Sequence, residues 1–523
     1  MYKTFLRMPF LRLILPCVAG IVTSYYIDVP YLYLTTFILG LGAFVSFYLL
    51  KRQFAYRYLS GIGINCLLFA FFGMLTLSSL AKTEWNYPPQ SYRYKVKILE
   101  DPVPKARSNR CNIQIYSIET EKGEEKVNRK AILYLAQDSL SGNLIAGDYL
   151  CVKTKFKKQE PSPNQLPQYA NYQKIKGYAC SGYAASNNWE LITLPHSYIP
   201  DIQSKALHFR RHLLQLLEQI VPDKRQFSIA SGILFGDKSS VDNDLRTALS
   251  ITGGAHVLAV SGLHVGILYG ALLFPFGFFG NSKKNKCLRQ LIVLPAMWIF
   301  AFITGLTPSV VRATTMLSFY GLAEIAGKKT FSLNIVSATA FFMLLYNPMY
   351  LFDIGFQLSF SAVATIISIN PLLQKLYYTN NYIIRYIWNS ITISTAAQIG
   401  TMPLTIYYFN QFPVVFLLTN LFVIPLVGIL LTMLLIYLVL SHIVILPEFM
   451  TYPLRALLQL FISGVELITK IPYACISDLQ LDISGSISLY LASFWLIKLF
   501  IHKKILFAYL LSLLALFQVI HYL

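Results

Sequence analysis

The sequence predicts a polytopic α-helical membrane protein of roughly ten to twelve transmembrane helices, with a small β-barrel domain inserted near its N-terminus. Three observations predict it. The chain has 523 residues, 55% of them hydrophobic and only 13% charged. Apolar stretches long enough to cross a hydrocarbon core of about 30 Å recur along it, separated by short basic loops. One polar region, 82–200, interrupts them and alternates apolar with polar residues as strands do.

Residues 1–81 are the N-terminal transmembrane helices, with apolar stretches near 9–27, 31–50 and 59–80. Lys3, Arg7 and Arg12 mark the start of the first, and Lys51, Arg52 and Arg57 separate the second from the third. By the positive-inside rule both basic clusters are cytoplasmic. The first stretch has no small-residue cleavage site and reads as a retained anchor. Everything after Leu80 then emerges on the outer, periplasmic side.

Region 82–200 offers about five strands: 92–99, a stretch through Cys111, Ile113 and Ile115, 131–136, 148–157 and 177–184. Five strands suit a small OB-like barrel. Lys153, Lys155 and Lys157 share one strand face by period two. Such a face is ordinarily just solvated, but it can also track a phosphate backbone. The region is only mildly basic, at a net +6. The whole-chain charge of +20 is accounted for largely by cytoplasmic loops.

Seven cysteines show no CxxC pair and no Cys/His cluster at metal spacing, so neither a metal site nor a cofactor is expected. Cys151 and Cys180 lie in strands able to pair on an oxidising side. Cys111 competes, and spacing does not decide.

Residues 201–252 form an amphipathic helix and a lead-in. Ala206, Phe209, Leu213, Leu216, Leu217 and Ile220 recur at helical spacing, which suits a helix at the membrane interface. Packing on the outer domain is the rival.

The membrane channel domain, 253–523, begins with the stretch around which the chain is organised, GGAHVLAVSGLHVGILYGALLFPFGFF. Read as one helix, it puts His256, Ser261 and His264 within an arc of roughly 140°. Gly262, Gly266 and Gly270 then form a helix-packing ridge on the other side. Ionisable residues within a span are functional candidates by default. Lys283, Lys284, Lys286 and Arg289 follow as a cytoplasmic loop, in agreement with the orientation set by the N-terminus.

Thr307-Pro308 starts a further helix, with Arg312 barely a turn in. Arg312 either snorkels to the interface or faces a hydrated path. Asp353, Gln357, Ser361 and Thr365, four apart, make a polar stripe beside Phe352, Phe356 and Phe360. Helix–helix bonding explains the stripe as well as a DNA path does. Ser390, Ser394 and Gln398 repeat the spacing before Pro403, and Asn420 and Pro425 interrupt the next run. Lys503 and Lys504 precede a last span.

Four sets of residues resemble motifs of the ComEC family of bacterial competence proteins. They are His256, Ala259, Ser261, Gly262, Leu263, His264 and Gly266; Ser309, Arg312, Ala313 and Met316; Asn347, Pro348, Asp353, Gly355, Phe356, Gln357, Leu358, Ser359 and Phe360; and Pro403, Phe409, Asn420 and Pro425. The turn-rich stretch 160–169 departs from the family's Asn-Pro-Gly pattern. The resemblance implies an inner-membrane channel admitting single-stranded DNA in natural transformation, and an OB-like outer domain. It also implies pilus machinery or a DNA receptor outside and a DNA translocase inside. No HxHxDH ligand set is present, so a nuclease, where one is needed, is expected on another chain.

On this reading no residue is catalytic. His256, Ser261, His264, Arg312, Asp353 and Gln357 line the DNA path, and Lys153, Lys155 and Lys157 form a DNA-binding face. The alternatives are a small-molecule transporter, which inverted repeats would support, and an intramembrane hydrolase using Ser261 and His264. The hydrolase suffers from geometry, because the two residues are one turn apart on one helix.

Overall fold

The computed structural model describes residues 8–501 apart from 50–55, 121–122, 139, 159–171, 193–201, 238–240, 279, 281, 329–331 and 444–447. Lys3, Arg7, Lys51, Arg52, Lys503, Lys504, the stretch 160–169 and the expected last span lie outside the described residues. The chain folds as two compact units, Met1–Phe209 with Ser337–Asp353, and Arg210–Val336 with Ile354–Leu523.

Six helices among the described residues are long and apolar enough to cross a membrane: Pro9–Tyr26, Pro30–Leu49, Tyr58–Ala81, Lys283–Ile303, Ile354–Gln374 and Phe416–Ser441. Ten to twelve are expected from the sequence, and the last of those expected lies outside the described residues. The stretches 262–278 and 332–346 form shorter apolar helices. Helix Pro308–Ile325 carries Arg312 and Glu324, which lower its mean hydropathy.

In the first unit, α1 (Pro9–Tyr26), α2 (Pro30–Leu49) and α3 (Arg57–Ala81) precede the sheet domain. Phe341 packs its ring edge-on to Phe72 of α3 at 5.5 Å and to Phe10 of α1 at 5.8 Å. Among the described residues the domain has eight strands: β1 (Tyr92–Ile98), β2 (Val103–Pro104), β3 (Ser108–Thr120), β4 (Gly123–Ala136), β5 (Tyr149–Thr154), β6 (Lys157–Lys158), β7 (Tyr178–Ala184) and β8 (Trp189–Ile192). They run in the order β6-β7-β4-β3-β1-β5-β8, with β2 on β3.

All pairings are antiparallel except β4 with β7, which is parallel. Period-two burial places Val96, Ile98, Ile113, Ile115, Leu133, Leu135, Leu150 and Val152 in one core. The barrel expected from the strand count is not found as a ring of paired strands. The sheet path is open among the described residues, and β5 approaches β7, with Thr154 Oγ1 donating to the Tyr183 carbonyl at 2.6 Å.

The second unit holds α5 (Lys224–Phe235), α6 (Asn243–Ile251), α7 (Gly262–Leu273), α8 (Lys283–Ile303), α9 (Pro308–Ile325), α11 (Ile354–Gln374), α12 (Tyr382–Phe409), α13 (Phe416–Ile443), α14 (Glu448–Thr469) and α15 (Ile483–Ile501). Helices α4 (Ile202–Ile220) and α10 (Ser332–Tyr346) each contribute to both units. The expected amphipathic helix is α4, and its Leu217 and Ile220 are buried in the second unit's core. Two short strands, β9 (Phe412–Pro413) and β10 (Cys475–Ile476), pair antiparallel. The chain between them therefore leaves one face and returns to it, so α13 and α14 make an out-and-back pair.

The organising stretch is not one helix. Ala255–Val257 is a 3-10 turn, and α7 starts only at Gly262, giving 12 residues before another 3-10 turn at Phe274–Phe278. Competing cores explain the break. Val257 and Leu258 are buried among α5, α6, α13 and α14, whereas Val260 and Val265 are buried against α8 and α9. One straight helix does not serve both. The single arc expected for His256, Ser261 and His264 therefore does not exist, because only His264 stands inside α7.

Candidate functional site

Two places merit chemical reading, one in each unit. The first is a groove of about 500 Å³ on the sheet domain, lined by Lys153, Lys155 and Lys157 together with Tyr134, Tyr183 and Ser181. The lysines do share a face, although β5 ends at Thr154. Val152, Thr154 and Phe156 are buried, so the residues between them point out. The Phe156 ring packs edge-on to Tyr94 at 4.7 Å. Facing it on β7 is Gly182, where a Cβ would lie 2.8 Å from the Phe156 ring. A side chain there would push the ring, and the lysines flanking it, out of register.

Tyr183 is 58% exposed. An open aromatic ring beside three amines offers a stacking face next to positive charge. The sequence pattern pointed to the lysines but not to Tyr134 and Tyr183. Their place depends on the parallel β4–β7 pairing, which brings Tyr134 opposite Tyr183.

The cysteines of this domain are free thiols. Cys111 and Cys180 are buried in its core. Burial pushes the Cys111 thiol up to about 12 and raises that of Cys180 as well. Cys151 alternates with the buried Leu150 and Val152 and so points away from that core.

The second place is the broken segment. Ser261 is the N-cap of α7, and His264 completes a capping box. The Leu263 amide donates to Ser261 Oγ at 3.3 Å, and the Ser261 amide donates to His264 Nδ1 at 3.1 Å. Ser261 Oγ also lies 2.9 Å from that nitrogen. Because a backbone N–H can only donate, Nδ1 is an acceptor here, and the ring carries its proton on Nε2. His264 is wholly buried. His256 Nδ1 lies 3.0 Å from the Gly253 carbonyl in the preceding turn.

Helix α9 meets this segment. A Cβ on Gly262 would sit 3.8 Å from Ala313, the neighbour of Arg312. A Cβ on Gly266 or Gly270 would meet nothing within 4 Å among the described residues, and the Gly262 contact is an ordinary one. Thr307 occupies the N-cap position of α9 but makes no side-chain cap bond. Arg312 is only 3% exposed and donates to Ser309 Oγ at 2.9 Å. The guanidinium is thus covered by protein rather than snorkelling.

The polar stripe on α11 turns into α12. Tyr408 donates to Gln357 Oε1 at 2.9 Å, and Thr365 donates to the Ser361 carbonyl of its own helix at 2.8 Å. Asp353 belongs to the first unit and binds Lys176 of the sheet domain.

One further polar cluster escaped the sequence pattern. Gln290 of α8 donates to Tyr269 of α7 at 2.9 Å and to Glu324 of α9 at 2.7 Å, while Arg289 pairs with Glu324. It ties three helices together. Among the described residues no group of three His, Cys, Asp or Glu side chains is placed to hold a metal ion.

A sequence model of the family described as "Competence protein" matches residues 233–503. ComE operon protein 3 of Bacillus subtilis (strain 168) is 24% identical over 432 residues, which cover 79% of this chain and 50% of that one. An uncharacterized protein of Aquifex aeolicus (strain VF5) is 29% identical over 234 residues, covering 44% of this chain and 50% of its own. Protein YcaI of Escherichia coli (strain K12) is 23% identical over 215 residues, covering 38% and 27%. The chain thus spans half or less of the length of these curated relatives. No solved structure matches it.

Proposed function

The chain belongs to the competence protein family, and on that footing we propose that it is an inner-membrane channel for uptake of single-stranded DNA during natural transformation. The observation that carries the reading beyond family membership is the groove that joins three lysines to two tyrosines. Single strands are held without sequence preference by positive charge along the backbone and by rings on which bases stack. We read the sheet domain as an open OB-like fold, supported by its parallel β4–β7 pair and by the approach of β5 to β7. It faces the periplasm, on the charges of its flanking loops.

The path through the membrane runs past the start of α7 and the start of α9. A polyanion needs donors and positive charge there, each weak enough singly to let the strand move on. Arg312 supplies the charge and the two histidines, His264 and His256, supply polar ring nitrogens, with Ser261 holding the His264 ring. Gln357 lines the path from behind its bond to Tyr408. A periplasmic DNA receptor or pilus machinery delivers the strand, and a cytoplasmic translocase draws it in. A nuclease acts from a separate chain where one is required.

A small-molecule transporter is the second reading. The interruption before α7 favours it, because transporters also place broken helices at their sites. Uptake separates the two. Labelled single strands should reach the cytoplasm of a competent host and fail to do so when only this chain is deleted. Undiminished uptake in the deletion strain would end the DNA reading.

A further inference from the structure

We propose that Asp353 is the acceptor on which the sheet domain docks, and that Lys176 is the residue that seats it, the two acting as a positioning pair. Lys176 Nζ lies 2.6 Å from Asp353 Oδ2, across 177 residues of chain. The Asp353 side chain is 6% exposed and that of Lys176 28%. A carboxylate so nearly dry needs a cation close by, and the same dryness makes the attraction stronger than at an open surface.

Both ends of the pair are held. Asn347 Oδ1 accepts the Met349 amide at 3.0 Å and so caps the 3-10 turn Pro348–Phe352, in which Pro348 and Met349 are buried. Phe352 stacks on Tyr25 of α1, with ring centroids 4.1 Å apart. Asp353 is thus presented by a turn clamped to the N-terminal helices. On the other side, Lys176 also lies over the Tyr172 ring at 5.3 Å. It precedes Gly177, whose φ of +84° turns the chain into β7.

Strand β7 begins two residues beyond Lys176 and carries Ser181, Gly182 and Tyr183 of the groove. Seating Lys176 therefore fixes one wall of the groove relative to α1 and the Pro348–Phe352 turn. This assigns the acidic residue of the Asn-Pro…Asp motif a partner that sequence spacing did not suggest. It also cancels a charge that would otherwise repel phosphate.

The test uses the full chain in membrane vesicles that expose the sheet domain, and reads the rate at which protease releases that domain. Lys176→Glu and Asp353→Lys should each speed release by about tenfold or more, the effect of breaking a half-dry ion pair. The double reversal should return to within about threefold of the wild type, which mere loss of packing would not produce. Should Asp353→Lys fail to accumulate, Lys176→Arg must release slowly and Lys176→Gln fast. Wild-type release from the single reversals, or a double reversal as fast as either, overturns the proposal. So does equal release from Lys176→Arg and Lys176→Gln. This readout involves no DNA, so failure of the uptake reading would leave it intact.

Discussion

The Tyr408 hydroxyl donates to Gln357 Oε1 at 2.9 Å, bonding α12 to the polar stripe of α11. A few residues along, a Cβ placed on Gly400 of α12 would sit 2.7 Å from the Ser361 carbonyl. Much of the stripe is therefore spent on helix packing at close range. Gly400→Val should lower the stability of the detergent-solubilised chain by about 1–3 kcal/mol, the usual range for overpacking. Tyr408→Phe should cost about 1 kcal/mol. Thermal unfolding checks both. A Gly400→Val chain that melts with the wild type would mean that α11 and α12 are not pressed together there.

The groove lysines make a quantitative prediction. Replacing Lys153, Lys155 and Lys157 by Gln removes three cations that displace counterions from a single strand. The slope of log K against log salt should become shallower by about 2, with affinity falling most at low salt. Fluorescence titration of an oligonucleotide against the full chain measures it. An unchanged slope would take these lysines out of the account.

Tyr183 tests stacking independently of charge. Tyr183→Ala should weaken single-strand binding by about 1–3 kcal/mol, while Tyr183→Phe should stay near the wild type. Equal losses in the two would point instead to the hydroxyl. Duplex DNA, whose bases are already stacked, should be insensitive to either change.

What the sequence made legible follows from which signals are local. The strands at 92–98 and 178–184 were readable from alternation and turn residues, and they formed close to where expected. The lysine face was readable for the same reason, since period two survives the end of β5 through the anchoring of Phe156. The break before α7 was not readable, because Val257 and Val265 belong to different cores and both count as apolar in a hydropathy window. Nor was Lys176. Nothing near it distinguishes it from Lys174, and its partner lies 177 residues away. Tyr134 and Tyr183 became neighbours only through a parallel pairing that no local pattern encodes.

The thiols of the sheet domain should stay reduced and mostly silent. Cys111 and Cys180 are buried, and burial raises both. At neutral pH neither forms the thiolate that reacts. Maleimide should therefore label Cys111 and Cys180 slowly in the native chain and rapidly in denaturant, with Cys151 the fastest of the three. Oxidation should produce no Cys151–Cys180 bridge, because the two point to different sides of the sheet. Peptide mapping after oxidation that recovers such a bridge would require a different register for β5 or β7.

The start of α7 gives the sharpest separation between a channel and a hydrolase. Ser261 Oγ caps α7 and lies 2.9 Å from His264 Nδ1, but that nitrogen already accepts the Ser261 amide at 3.1 Å, so the base is shared with the cap. A nucleophile would need its base free to take the hydroxyl proton. Ser261→Asn supplies a side-chain oxygen for the cap but no nucleophile, so it should support DNA uptake near the wild-type level. Ser261→Ala removes the cap, at a cost of about 1 kcal/mol, and should reduce both stability and uptake. His264→Leu keeps the bulk but loses the ring's proton on Nε2, and should abolish uptake while insertion into the membrane is retained. Transformation frequency, read beside the amount of chain in the membrane, distinguishes these outcomes. If Ser261→Asn is inactive at full expression, the hydroxyl itself is required and the hydrolase reading regains its footing. If His264→Leu transforms normally, the path does not run past α7.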